Sequence, residues 1–256
     1  MIKLEKPDEP ELLQQEKSNW TNALVAKISE YGSYKDIPQN IKKQLLSHYR
    51  KSEITEPLFS SSHRKCAYCE LKPSDGGGYL EVEHILPKSL FPEQTFNWSN
   101  FIPSCKNCNI KKSNENTQEN PILNPYNTSP EIYFTYNNCA IEINRNIESG
   151  SSEYNIAKNT SDFCDLERIE LVRKHSELLA VFYPYKLSLK QMLSEINSQN
   201  LTERQQTNVI AKLNDSLTAV KSLATPEQVC SGFMKSLLND PIINEVKEFI
   251  IRFDLN

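Results

Sequence analysis

The chain has 256 residues, 38% of them hydrophobic and 24% charged, with a formal net charge of −4. That composition builds one large core or two small ones. No run approaches the ~18 consecutive apolar residues of a membrane helix, and residues 1–10 lack the apolar stretch of a secretory signal, so a cytoplasmic protein without a membrane partner is expected. Seven cysteines are too few and too unevenly spaced for a disulfide scaffold in a chain of this length.

Taken in order, Pro10 ahead of Glu11, apolar residues at Leu13, Trp20, Leu24 and Ile28, and Gly32 as a stop predict a first helix. A second is predicted from Pro38, with Ile41, Leu45 and Tyr49 on its stripe. Residues 1–56 are therefore expected to form a helical segment packed on a core domain. From about 57 the pattern changes to proline, serine and short apolar runs. Three of the six glycines form the turn Gly76-Gly77-Gly78, which leads into the alternating stretch Tyr79-Leu80-Glu81-Val82 and then Glu83-His84, a predicted strand.

A second short strand is predicted at Phe101-Ile102-Pro103-Ser104, with a helix starting near Cys108 or Asn109. Ile132–Tyr136 and Ala140–Ile143 alternate around Asn137-Asn138, a hairpin signature. Beyond about 160 the chain reads as helical, with a stripe at Leu166, Ile169 and Val172, segments near 187–197 and 202–223, and starts at Thr225-Pro226 and Asp240-Pro241. The expected architecture is α+β: helices over 1–56, a core domain over 57–145, and a helical region over 146–256 suited to docking a partner.

Two pairs, Cys66-Ala67-Tyr68-Cys69 and Cys105-Lys106-Asn107-Cys108, stand 35 residues apart. Paired knuckles of this spacing close a tetrahedral zinc site, and the separation exceeds the ~15–20 residues of a plain zinc ribbon, so the intervening stretch has content of its own. A structural zinc on Cys66, Cys69, Cys105 and Cys108 is expected, whereas Cys139, Cys164 and Cys230 are expected to be small buried hydrophobes. Inside the insertion lies Glu83-His84, whose side chains a strand sends to opposite faces. Asn109 follows Cys108 directly, and carboxylate plus carboxamide oxygens suit a hard cation such as Mg²⁺ or Mn²⁺. A zinc base deaminase, with its H-x-E and P-C-x-x-C order, is excluded because Ile85-Leu86 follows His84 and Ser104 separates Pro103 from Cys105.

Charge is uneven. Residues 1–60 carry nine basic and nine acidic side chains, 61–115 seven and six, and 116–256 thirteen and eighteen. The acidity lies C-terminally, while Lys88, Lys111 and Lys112 flank the motif as candidate nucleic-acid contacts.

Taken together, Cys66-x-x-Cys69, Glu83-His84-Ile85, Pro87-Lys88, Trp98-Ser99-Asn100, Ser104-Cys105-x-x-Cys108-Asn109 and Lys112 resemble an HNH endonuclease with a ββα-metal core. More narrowly, they resemble the HNH nuclease subunit of Septu anti-phage systems and its retron-associated relatives. The resemblance implies metal-dependent hydrolysis of nucleic-acid phosphodiesters, most readily DNA. It implies His84 as the general base, Asn100 as the brace of the loop behind it, and Glu83 with Asn109 as ligands of the catalytic Mg²⁺ or Mn²⁺. Many members have Asp at the position of Glu83 and His at that of Asn109. The resemblance also implies a PtuA-like ATPase partner and, in one branch, a retron reverse transcriptase with its RNA–DNA. A non-catalytic zinc module that binds nucleic acid or protein is the alternative.

Overall fold

The computed structural model describes residues 1–198 and 201–254, so the remainder of the predicted 146–256 region lies outside the described residues. The described chain divides into two compact units, 1–134 with 143–167, and 135–142 with 168 onward. That division falls at 168 rather than at 146, and residues 1–56 share one unit with the motif.

In the first unit, α1 (Glu11–Tyr31) buries Leu13, Trp20 and Leu24 and ends at Gly32, whose φ of 87° suits a residue without a side chain. The predicted second helix is interrupted. The segment α2 (Gln39–Leu45) stops early, Tyr49 sits on a single turn over His48–Arg50, and a further helix, α3 (Ser52–Ser60), continues through Pro57. A proline that far into a helix hid α3 from sequence reasoning.

Next come β1 (Leu80–His84) and β2 (Phe101–Cys105), an antiparallel pair in which Leu80 faces Cys105 and His84 faces Phe101. The helix α4 (Lys106–Lys112) begins two residues earlier than expected. One core joins them: Leu13, Trp20 and Leu24 of α1, Ile54 and Leu58 of α3, Val82 of β1, and Phe96, Trp98 and Phe101. Burial of several such side chains, at roughly 1.5–3 kcal/mol each, is what seats the N-terminal helices on the β pair.

The predicted hairpin forms as β3 (Phe134–Asn137) and β4 (Ala140–Ile143), with Asn138 left-handed at the turn. α5 (Ser152–Cys164) completes the first unit. It is capped by the Ser151 side chain and ended by the left-handed Asp165, so Leu166 and Ile169 do not share a helix. In the second unit, α6 (Ile169–Ser198) runs unbroken through Pro184. α7 (Glu203–Ser222) starts with a Thr202–Gln205 capping box. The Thr225-Pro226 start is not used: Gln228 N–H closes a turn on the Thr225 carbonyl and α8 (Ser231–Leu237) begins later. At α9 (Pro241–Asp254) the Asp240 carboxylate accepts from the Ile242 N–H, as its sequence predicts. No described helix is long and apolar enough to cross a membrane.

Candidate active site and zinc centre

The two ends of the β1–β2 pair hold different chemistry. At the Leu80–Cys105 end, the sulfurs of Cys66, Cys69, Cys105 and Cys108 all lie within 4.8 Å of one another, every one of these residues is buried, and none is in a disulfide. Among the described residues this is the one group of three or more His, Cys, Asp or Glu side chains close enough to share an ion. Cys69 and Cys105 Sγ are 3.7 Å apart, matching the ~3.8 Å edge of a tetrahedron with Zn–S of ~2.3 Å. Burial would raise the Cys66 thiol, but hydrogen bonds from Cys105, Cys108 and Cys69 hold it well below its ordinary range. The donor set fits zinc. The knuckle closes through Glu70 N–H on the Cys66 carbonyl, with Glu70 at φ 58°, and Ala67 N–H ties it to Pro103 of β2.

At the other end stands His84, 1% exposed, its ring edge-on to Tyr49 at 4.9 Å and to Phe101 at 5.1 Å. Its Nε2 lies 2.9 Å from the Thr95 carbonyl. A carbonyl only accepts, so Nε2 carries the proton and Nδ1 holds the lone pair. Nδ1 is buried and, among the described residues, has no hydrogen-bond partner. Desolvation first, then Lys88, drives the imidazolium well below its ordinary range, so the ring is neutral at pH 7.

Asn100 lies on the turn just before β2. Its Oδ1 accepts from Leu86 N–H at 2.7 Å, and its Nδ2 donates to the Leu86 and Gln94 carbonyls, both at 3.0 Å. One carboxamide thus ties both ends of the loop that carries Thr95 against His84.

Strand alternation sends Glu81 and Glu83 to the face opposite His84. There Glu83, 4% exposed, accepts from Lys112 Nζ at 2.8 Å, and the same ammonium donates to the His84 carbonyl at 2.8 Å. Burial raises the Glu83 carboxyl and Lys112 opposes that rise. Asn109 donates from Nδ2 to Glu81, not to Glu83. Among the described residues its carboxamide oxygen makes no hydrogen bond, so it could serve as a donor to a hard cation. Glu81 is a residue that sequence reasoning missed; its position two before Glu83 on the same strand face was the available signal.

The charge expectations need one correction. Lys112 is 0% exposed and held by Glu83, so it is no nucleic-acid contact. Cys108 and Lys112 are four apart on α4 and share its buried face, whereas Lys111 points to solvent. Lys88 is half-buried, with Nζ 5.9 Å from the centre of the Tyr49 ring. Cys164 and Cys230 are buried, but Cys139 is only partly so.

An antiparallel pair, a short helix, two cysteine knuckles and a histidine at the end of the first strand define an HNH-type domain, and residues 66–115 match the HNH endonuclease family model. Within this chain the likeness to that family is confined to residues 66–115. Over 140 residues it is 34% identical to Septu protein PtuB of Bacillus thuringiensis, a match that takes in 54% of this chain and 48% of that protein. It is PtuB-like over that stretch, and it spans about half the length of the curated relative it matches.

Proposed function

We propose that the chain is a metal-dependent endonuclease that hydrolyses nucleic-acid phosphodiesters, DNA first, and acts in the cytoplasm as the effector of an anti-phage complex with a PtuA-like ATPase subunit. The likeness to Septu protein PtuB supports the defence setting. The observation that carries the chemistry is His84: a neutral imidazole with its Nε2 proton committed to a carbonyl and its Nδ1 lone pair uncommitted. That tautomer can take a proton from water near neutral pH. In this reading Asn100 keeps the Thr95 carbonyl in place and so fixes the ring. Glu83 and Asn109 would hold Mg²⁺ or Mn²⁺, with Glu81 beside them. A bound divalent cation would stabilise the negative charge that develops on the phosphate oxygens. Zinc on the four cysteines serves structure.

The test is cleavage of DNA and RNA by the purified chain supplied with Mg²⁺ or Mn²⁺, alone and with the ATPase. His84→Ala is expected to abolish cutting while zinc content and the folding transition persist. Full activity in that variant would remove His84 from the mechanism.

A specific observation favours the second reading, a non-catalytic zinc module. Glu83 and Asn109 each have a protein partner, and His84 is closed off behind Tyr49 and Phe101. Binding without cleavage under every metal and partner condition would support that reading over the nuclease.

A further inference from the structure

The face of the first unit beside His84 carries an open pocket of about 350 Å³, lined among others by Tyr49, Arg50, Tyr79, Glu81, Lys88 and Asn109. It shares one wall with the imidazole, because the Tyr49 ring that lines it packs edge-on against His84. Two cations stand over that wall: the Arg50 guanidinium is 5.7 Å from the ring centre and the Lys88 ammonium 5.9 Å. They come from distant parts of the sequence, Arg50 from the turn between α2 and α3 and Lys88 from the loop that Asn100 braces.

Some surface cations of this unit are paired with carboxylates. Lys17 pairs with Glu9, Lys27 with Glu30 and Arg64 with Glu56. Arg50 and Lys88 have neither an ion pair nor a side-chain hydrogen bond among the described residues. The one carboxylate in the named lining, Glu81, is turned to the Asn109 amide. The named lining is therefore net positive, with two like charges near one aromatic ring and neither of them in an ion pair among the described residues. Such an arrangement is repulsive until an anion fills it.

We propose that Arg50 and Lys88, brought together over Tyr49, form a phosphodiester clamp that seats a nucleic-acid strand beside His84. The assignment rests on the nuclease reading for its purpose, and on the pocket for its location. A guanidinium fork can grip two phosphate oxygens at once while the ammonium acts as a point charge. The clamp replaces buried Lys112 as the expected contact, and it gives the N-terminal helical segment a share in substrate binding.

Binding and cleavage are separated by measuring the anisotropy of a short fluorescein-labelled oligonucleotide, DNA in one series and RNA in another, with Ca²⁺ in place of Mg²⁺. Arg50→Glu and Lys88→Glu are each expected to weaken binding by ~10-fold or more and to lower the slope of log K against log salt by about 1. Arg50→Lys should restore part of the affinity. Lys190→Glu, which makes the same charge change at an exposed site on α6, should leave affinity and slope as they were. The clamp is overturned if the Arg50 and Lys88 variants keep the parent's affinity and slope, if Lys190→Glu loses as much, or if the parent binds neither strand. A chain that cleaves normally yet binds independently of both cations refutes the clamp alone. One that binds through them and never cleaves refutes the nuclease reading alone.

Discussion

The two ends of the β1–β2 pair are built from opposite materials. The Cys105 end gathers four buried sulfurs, which a single ion could close. The His84 end buries Glu83, His84, Asn100 and Lys112 and satisfies them almost entirely with protein groups. A bound zinc would brace one end, while internal hydrogen bonds hold the other. Two strands of five residues each connect them, so a short hairpin of marginal intrinsic stability has a fixed point at either end. Under the proposed nuclease reading, that limits motion in the stretch where His84 and Asn100 must keep their positions.

The largest effect should come from breaking the zinc end. Replacing Cys105 and Cys108 together by serine is expected to abolish zinc binding and the folding transition of the first unit, because a structural zinc contributes on the order of 10 kcal/mol or more of apparent folding energy. Metal analysis and thermal melting check this, and a zinc-free variant that melts like the parent would remove the metal from the frame. At the other end, Lys112→Met should cost roughly 3–5 kcal/mol, since it leaves the Glu83 carboxylate buried without its cation. The double change Lys112→Met with Glu83→Gln should recover much of that loss in a denaturant titration. A double variant no more stable than Lys112→Met alone would show that Lys112 acts through the His84 carbonyl instead.

The zinc end was legible because its chemistry is a spacing: two knuckles, four sulfurs, one insertion. The strands were legible too, since Leu80–His84 alternates and Phe101–Cys105 is a short apolar run. The His84 end was legible only in part. Glu83-His84 announced itself as a dipeptide, and strand alternation gave their divergence. Which lysine turns inward was hidden, because Lys111 and Lys112 are chemically identical and only the phase of α4 relative to Cys108 separates them. Arg50 was out of reach for another reason. Its place beside Lys88 depends on the break after α2, which Tyr49 enters on a single turn rather than on a helical stripe. Side-chain periodicity reports local conformation and is blind to such a juxtaposition.

Smaller changes probe the His84 end more finely. Asn100→Ala removes three hydrogen bonds to Leu86 and Gln94 and should cost about 2 kcal/mol, at roughly 1 kcal/mol or a little less for each partly buried bond. If Asn100 holds the base through its loop, cleavage should fall by ~10²-fold or more while zinc content stays unchanged. Activity that drops only in proportion to the folded fraction would confine Asn100 to a stability role.

The smallest effect concerns a titratable support beside the His84 end. The Lys6 ammonium donates to the carbonyl of Phe101, the residue opposite His84, and lies 4.4 Å from the ring centres of both Trp98 and Tyr126. Burial pulls its pKa down from 10.5 to about 7, while the two aromatic faces and the carbonyl favour the cation and oppose that fall. Because the folded pKa is the lower one, the unfolded chain binds the proton that the folded chain sheds between about pH 7 and 10.5. Stability from this group therefore rises with pH across that window and is flat below it. Melting at pH 6, 7.5 and 9 should show the parent gaining on the order of 2 °C relative to Lys6→Met, a modest figure because water screens a group that is only partly enclosed. Parallel curves for the two proteins would mean that the aromatic box keeps Lys6 charged throughout.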